Sequence, residues 1–213
     1  MINVKQLESR EEWLEVRKKS LGGSDAASVL GLSPWKSNVK LWLEKKGELE
    51  IEDISDKSYV KFGIEAEKPI RDLFTLDHDE FEVQYFENNI WINDKFPFAH
   101  ASLDGWITEI ETGTKGILEI KTVNIYNNND LAWEDRIPDY YYTQILHYMM
   151  ITEFDFAILK SRIKYAEDYI AVKTYRIDRL NVLEDIKLLA EREKDFYKSL
   201  QGDVVPNLIL PNI

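Results

Sequence analysis

Cysteine is absent from this sequence of 213 residues, and histidine occurs only three times. Without cysteine there can be no disulfide framework, no thiolate zinc site and no cysteine-ligated iron–sulfur cluster. Three histidines offer few nitrogen ligands for a transition metal. Any metal that the chain binds is therefore expected to have oxygen ligands, as Mg²⁺ does and Mn²⁺ can.

Long apolar runs are also missing. No stretch approaches the roughly 20 consecutive apolar residues that a membrane-spanning helix requires. The first residues, MINVKQLESREEW, lack the apolar segment of a secretory signal. We therefore expect a cytoplasmic protein with no membrane partner.

Positive charge is scarce, because 27 Lys and Arg residues stand against 39 Asp and Glu residues and the net charge is −12 at pH 7. Proteins that coat nucleic acid without specificity rely on Lys and Arg to neutralise phosphates, so the composition argues against that class. The acidic composition does not exclude a local basic groove. Several lysines of the N-terminal third are candidates to line such a groove: Lys18, Lys19, Lys36, Lys40, Lys45 and Lys46.

The composition, with 44% hydrophobic and 31% charged residues, is that of a single globular domain spanning 1–213. The part up to about residue 80 is predicted to be helical, with helices at 11–17 and 24–30, a third helix opened by Ser33 and Pro34, and a longer one at 59–76. Pro69 either kinks this last helix or marks a shorter one.

From about residue 81 the apolar period approaches two, which predicts a sheet followed by C-terminal helices. The predicted strands are 84–92, 96–102, 106–111, 116–123, 156–164 and 169–176, and the predicted helices are 140–152 and 182–200. A polar loop is expected at 124–130. The segment 111–116, Glu-Thr-Gly-Thr-Lys-Gly, predicts the turn of a hairpin between the third and fourth strands.

Two short motifs on this hairpin carry chemistry. Asp104 lies in Ser-Leu-Asp-Gly, and fifteen positions later Glu119 opens Glu-Ile-Lys. Side chains of a strand alternate between faces, so Glu119 and Lys121 project to the same side. If the two strands pair, Asp104 and Glu119 converge and could bind one hard cation. Hydrolysis of a phosphodiester needs this combination of metal, activated water and neutralised phosphoryl charge. In so acidic a chain, the alternative is an exposed hairpin with polar residues on its outer face.

Four ordered blocks in 13–152 make the chain resemble the YqaJ and lambda-exonuclease branch of the restriction-endonuclease-like nucleases. The blocks are Arg17 with 21–27 and 32–37, then 62–67 followed by Arg71, then 101–105, and finally 118–122. Leu103 stands where that family more usually has proline.

The resemblance implies an α+β protein with a mixed central β-sheet flanked by helices, the restriction-endonuclease-like (PD-(D/E)XK) core. It also implies exonuclease activity on linear double-stranded DNA, usually from a 5′ end, with two Mg²⁺ ions. A single-strand annealing recombinase is the implied partner, in phage-type recombination within a bacterial host cell. Some family members form ring trimers.

Carried over position by position, the resemblance makes Asp104 and Glu119 metal ligands, with the backbone carbonyl of Ile120 as an additional ligand. Lys121 would serve the attacking water, and Glu67 would approach the metals from its helix. Glu65 competes for that role, because a two-residue offset places it about 200° around a helix, so that only one of the two can point inward.

Further residues are implied to contact substrate. Arg17 and Ser24 would bind the DNA phosphate, although a surface salt bridge and a helix cap explain them equally well. Gln144 matches a glutamine on the helix after the catalytic strands. Trp35 and Lys36 lie in a Ser-Pro-Trp-Lys-Ser turn, where the indole could stack at a DNA end. His100 lies four positions before Asp104, so the two side chains would share one face of an extended strand. We interpret His100 as a structural residue.

Two other classes of function stay open. A non-catalytic DNA-end-binding or inhibitory module could keep the same scaffold, although the intact Asp104, Glu119 and Lys121 argue against it. An endonuclease would use the same metal chemistry at an internal site. The relatives that carry an iron–sulfur cluster are excluded because the chain has no cysteine.

Overall fold

We describe the computed structural model of the chain over residues 1–125, 133, 136–165 and 169–210. The elements in these ranges are β1 (Ile2–Gln6), α1 (Arg10–Lys19), α2 (Gly23–Val29), α3 (Asn38–Lys46), α4 (Ser58–Asp77), β2 (Phe81–Gln84), β3 (Asn89–Asn93), β4 (Gly105–Glu109), β5 (Lys115–Ile125), α5 (Asp139–Thr152), β6 (Phe156–Tyr165), β7 (Ile170–Asp178) and α6 (Leu183–Gln201). The loop predicted at 124–130 lies largely outside these ranges. None of the described helices combines the length and the apolar character that crossing a membrane would need.

Five of the strands form one mixed sheet in the order β2-β4-β5-β6-β7. β5 and β6 are parallel, and the other neighbouring pairs are antiparallel. A parallel pair needs a crossover connection, and this one contains α5. β1 and β3 form a separate antiparallel pair. The predicted fold class, an α+β protein with a mixed central sheet flanked by helices, is confirmed.

Apolar side chains cover both faces of the mixed sheet. On one face, Leu118 and Ile120 of β5 pack with Phe74 of α4. On the other face, Ile117 belongs to a larger core that includes Ile145 of α5 and side chains of α2 and α6. β5 is therefore buried on both sides, since successive side chains of a strand point in opposite directions.

The prediction that the N-terminal part is wholly helical is wrong, because Ile2–Gln6 forms β1 and pairs with β3. Only Ile2 and Val4 alternate as apolar residues in this short segment, which is too little to indicate a strand. The partner strand lies far along the chain, so no local pattern specifies the pairing.

The start of the third helix is also corrected. α3 begins at Asn38, after Ser37, whose hydroxyl accepts a hydrogen bond from the amide of Lys40 at 3.1 Å and so caps the helix. Ser33 instead accepts bonds from the amides of Trp35 and Lys36, both at 3.3 Å, and forms a turn ahead of the helix.

The segment 96–102, predicted to be a strand, forms only two isolated bridges. Leu21 pairs with Ala99, and Trp91 pairs with Ala101. The apolar alternation in this segment therefore reflects packing against several elements and not membership of the sheet.

A buried histidine connects three parts of the fold. Nδ1 of His147, in α5, lies 2.7 Å from a carboxylate oxygen of Glu193 in α6. Nε2 of the same ring lies 2.8 Å from the carbonyl oxygen of His100. The carbonyl of His100 can only accept, so Nε2 carries a proton, and Nδ1 donates to Glu193 when the ring is charged. Burial lowers the pKa of His147, but the Glu193 carboxylate and the two hydrogen bonds outweigh it, and the pKa is raised above its usual value.

We expect Glu193→Gln to destabilise the protein by about 3–5 kcal/mol at pH 6, because it leaves a buried imidazolium without its counter-charge. The pKa of His147 is higher in the folded state than in the unfolded state, near 6.5. The stabilisation is therefore complete below about pH 6.5 and is lost as the pH rises through the folded pKa. The difference in unfolding free energy between wild type and variant, measured by urea denaturation, should shrink toward pH 9.

The exposed Glu191 of the same helix provides a matched control. Glu191→Gln should leave the unfolding free energy unchanged to within about 0.5 kcal/mol. A difference for Glu193→Gln that stays constant between pH 6 and pH 9 would show that His147 is neutral in the fold.

Candidate active site

The two chemistry-bearing motifs meet through the β4–β5 hairpin. Gly105 pairs with Leu118, as the turn at 111–116 predicted. Asp104 directly precedes β4, and its Oδ2 accepts a hydrogen bond from the amide of Ile120 at 2.9 Å. This bond anchors the Asp104 carboxylate beside Glu119, the residue that precedes Ile120.

Glu119 is a buried carboxylate with unequal oxygens. Its side chain is almost fully enclosed, at 1% exposure for the residue. Oε1 lies 2.5 Å from Nζ of Lys121 and accepts a bond from Nε2 of Gln144 at 3.0 Å. Oε2 is buried and has no hydrogen-bond partner among the described residues. One oxygen is therefore occupied, and the other is available to a ligand.

α4 brings a third carboxylate toward the same place. The helix is continuous through Pro69, and it turns Glu67 inward while Glu65 is exposed. Glu67 interacts electrostatically with Asp104 and Lys121. The fold thus favours Glu67 over Glu65 as the carboxylate of this helix that approaches the site.

Arg71, one turn after Glu67, also contacts the site. The resemblance included Arg71 in its second block but assigned it no role. Its guanidinium donates to the backbone carbonyl of Asp104 and lies 3.6 Å from the centre of the Tyr85 ring. Arg71 thereby fixes the backbone at Asp104 and adds a positive charge beside the carboxylates.

The pKa values reflect crowding of like charges. Burial and the neighbouring Asp104 raise the pKa of Glu119 to about 8, against the opposing effect of Lys121. Burial and Asp104 likewise raise the pKa of Glu67 to about 7. Burial lowers the pKa of Lys121, but Glu119 and Asp104 raise it by more than burial lowers it. The net shift is upward, and the side chain is an ammonium ion.

This cluster suits a hard divalent cation. Asp104, Glu119 and Glu67 offer carboxylate oxygens, Ile120 offers a backbone carbonyl, and Oε2 of Glu119 has no partner in the part of the chain that the structure describes. A cation would also relieve the repulsion that raises the two glutamate pKa values. Among the described residues, no three His, Asp or Glu side chains are already arranged closely enough to hold a metal ion. The ammonium of Lys121 instead lies against Oε1.

α5 supports the carboxylates from the other side. Gln144 donates from Nε2 both to Glu119 and, at 2.7 Å, to the hydroxyl of Tyr148. A methyl group on Gly23 would lie 2.4 Å from the Tyr148 ring, so only glycine lets α2 approach this closely. Tyr148 was not predicted, although its position four residues after Gln144 puts both on one helix face.

A groove of about 1110 Å³ contains the residues predicted to bind phosphate. Arg17 and Ser24 both line it, together with Arg10, and the guanidinium of Arg17 lies 4.0 Å from the centre of the Trp13 ring. The predicted cap of α2 is corrected: Gly22 is the N-cap residue, and Asp25 accepts a hydrogen bond from its amide. Ser24 is exposed in the first turn.

The predicted basic lining of this groove is only partly present. Lys18, Lys36, Lys45 and Lys46 line it, whereas Lys19 and Lys40 do not. These four lysines form ion pairs with acidic residues, so much of their charge is neutralised.

Lys45 has a structural role at the floor of this groove. Its Nζ lies 2.8 Å from both Asp25 and the carbonyl of Ser20, and 3.2 Å from the carbonyl of Arg17. This lysine therefore connects the end of α1 to the first turn of α2.

Two other predicted positions lie apart from the carboxylates. Trp35 is 67% exposed and contacts Tyr140 at the start of α5. His100 is buried, and its Nδ1 lies 2.7 Å from the hydroxyl of Ser20. Burial, followed by the charge of Arg17, lowers the pKa of His100 to about 3. His100 is therefore neutral and belongs to the wall of the groove, as its structural interpretation expected.

Fold and site together define a class of protein. A mixed sheet flanked by helices carries a carboxylate–lysine cluster at its central hairpin. The sequence model of the YqaJ-like viral recombinase domain matches residues 12–155. The chain therefore belongs to the YqaJ-like viral recombinase domain family.

Comparisons with individual proteins agree with this assignment. The chain is 36% identical over 148 residues to the uncharacterized protein YqaJ of Bacillus subtilis (strain 168), a match that covers 66% of this chain and only 42% of the relative's length. The crystal structure of an alkaline exonuclease (LHK-Exo) from Laribacter hongkongensis has the same fold, with a TM-score of 0.63 and 16% identity over 91% of this chain and 93% of that one. The structure of LHK-Exo in complex with dAMP matches equally well.

We expect the metal-free protein to lose stability as the pH rises from 5 to 8.5. The pKa values of Glu119 and Glu67 are higher in the folded state than in the unfolded state. Their contribution is therefore complete below about pH 4.5 and is lost as the pH rises through about 7 and 8. Asp104→Asn keeps an acceptor for the Ile120 amide but removes the repulsion, so its stability should depend less on pH.

The measurement is the unfolding free energy in EDTA across this pH range. Asp72→Asn, which alters an exposed ion pair with Lys68, serves as the control and should retain the wild-type slope. A slope for Asp104→Asn equal to that of wild type would mean that Asp104 does not determine the charge state of the two glutamates.

Proposed function

We propose that this protein is a metal-dependent deoxyribonuclease that degrades linear double-stranded DNA as an exonuclease. The observation that carries the proposal is the pairing of buried Glu119 with Lys121 next to the anchored carboxylate of Asp104. Membership of the YqaJ-like family and the fold of an alkaline exonuclease support it.

In this proposal Asp104, Glu119, Glu67 and the carbonyl of Ile120 hold Mg²⁺, or Mn²⁺ in its place. When bound, the metal supplies charge neutralisation for the phosphoryl group and lowers the pKa of water. The protein's own side chains hold the metal ligands in position. Gln144 holds the orientation of the Glu119 carboxylate by its hydrogen bond.

Lys121 acts as a cation in this scheme. Its raised pKa keeps it protonated near neutral pH, so it cannot remove a proton from water. We propose that its ammonium orients the attacking water and stabilises negative charge that develops on the phosphoryl oxygens.

The DNA path follows from the groove beside the site. Arg17 and Ser24 are proposed to bind a phosphate of the substrate, while Trp35 and Lys36 contact DNA next to them. An acidic exterior discourages DNA from binding elsewhere on the surface. We extend the proposal to 5′ to 3′ polarity, a single-strand annealing recombinase as partner, a ring trimer, and a cytoplasmic location in the host of a phage or prophage, all on the resemblance alone.

The test is degradation of linear and covalently closed circular duplex DNA by the purified protein, with Mg²⁺ or with EDTA. We expect loss of linear DNA only, and only with Mg²⁺. Lys121→Ala and Glu119→Ala should each lower the rate by at least about 100-fold, the effect of removing one electrostatic contact to a transition state.

Each other outcome identifies a rival function. Cleavage of closed circles would favour an endonuclease. Binding of DNA ends without cleavage, in Mg²⁺ or Mn²⁺, would favour the non-catalytic end-binding or inhibitory module. A protein that neither binds nor cleaves DNA would refute the proposal.

Glu67 and Glu65 form a matched pair for testing the metal site. Glu67→Gln should raise the Mg²⁺ concentration needed for half-maximal rate by about tenfold or more, because one charged oxygen ligand becomes neutral. Glu65→Gln, an exposed change two residues away, should behave as wild type. Equal metal dependence of the two variants would exclude Glu67 from the site.

A further inference from the structure

Trp35 is exceptional among the tryptophans of the chain. Its side chain is 67% exposed, whereas Trp42, Trp91 and Trp106 are buried. Large aromatic side chains usually contribute to a core or an interface. The exposed indole is also held in place, since the hydroxyl of Ser33 accepts from the amide of Trp35 and fixes the turn.

Tyr140 braces the indole from α5. The two rings meet edge to face, with their centroids 4.8 Å apart and an interplanar angle of 74°. This contact restrains the Trp35 side chain without covering it, because about two-thirds of its surface stays in solvent. A fixed, flat and accessible aromatic surface is the form that stacking on a nucleobase requires.

A short series of contacts connects this surface to the candidate active site. The Tyr140 ring lies 4.5 Å from that of Tyr141, which lies 5.3 Å from Nζ of Lys121. Tyr140 also precedes Gln144, the partner of Glu119, by one helical turn. Because stacked nucleotides of a strand follow each other at about 3.4 Å along the axis, the indole lies within about four nucleotides of the Lys121 ammonium.

The chemistry of the surface favours one kind of ligand. A base inside a duplex has both faces covered by its neighbours, so only a base at an end or in a separated strand has a free face. Charge contributes little at this point, since Lys36, the next residue, is paired with Glu44. Stacking tolerates any sequence because every base has a π-face.

We propose that Trp35, braced by Tyr140, stacks on an unpaired base of the substrate strand a few nucleotides from the scissile phosphodiester. This inference rests on the proposed nuclease function and specifies how that site holds a DNA end. Trp35 thereby captures the frayed strand, and the carboxylate–lysine cluster acts on it.

The experiment uses duplex oligonucleotides with 2-aminopurine at each of the first four positions of either strand, bound by the full chain in EDTA. Stacking on indole quenches 2-aminopurine, so the wild type should quench it at one or two of these positions. Trp35→Ala should abolish the quenching and weaken binding about 5- to 150-fold, with no change in the salt dependence of affinity, since no phosphate contact is lost. Trp35→Phe should restore most of the affinity.

Tyr169→Ala is the control, because Tyr169 is a similarly exposed aromatic residue immediately before β7. This variant should bind and quench as wild type. The same thermal midpoint in all variants excludes a folding defect.

The outcomes separate this inference from the nuclease function. Cleavage of DNA with unchanged quenching and affinity in Trp35→Ala would overturn the stacking role alone and would point to a protein partner for the indole. Position-specific quenching without cleavage would support the stacking role and refute the nuclease. A wild-type protein that does not bind DNA would overturn both.

Discussion

The burial of the Glu119 carboxylate is the constraint on which the rest of the structure depends. An ionised group with almost no exposure is costly unless charges and hydrogen bonds compensate it. Lys121 from the same strand and Gln144 from α5 do so at one oxygen. Asp104, held by the Ile120 amide, acts in the opposite direction and raises the Glu119 pKa. A bound cation would relieve this repulsion between the carboxylates.

The packing of the sheet makes this arrangement rigid. Leu118 and Ile120 attach α4 to one face of β5, and Ile117 and its neighbours attach α5 to the other. Glu67 and Gln144 are carried by these two helices, so the positions of their polar groups follow from the apolar contacts beneath them. The buried His147 also holds α6 against α5, through its hydrogen bond to Glu193. A buried hydrogen-bonded pair of this kind has one favourable geometry.

The acidic composition and the proposed action on DNA are compatible for a physical reason. Nucleic acid needs cations only where it is held, and the four lysines that line the groove are already paired with carboxylates. Arg17, which lies against the Trp13 ring, and the exposed Trp35 provide further contacts for DNA in the proposed function. Recognition of a DNA end by stacking and a few directed contacts depends less on net charge than nonspecific coating does.

The amino-acid sequence by itself determined the β4–β5 hairpin, the shared face of Glu119 and Lys121, the strands and helices that follow this hairpin, and membership of the family. These features depend on alternation, turn residues and motifs that extend over a few neighbouring positions. Only the tertiary structure decided that β1 joins β3, that Glu67 turns inward in place of Glu65, and that Arg71 and Tyr148 support the carboxylates. Those contacts join segments far apart in the chain, so they depend on how helices pack on the sheet, which no local pattern encodes.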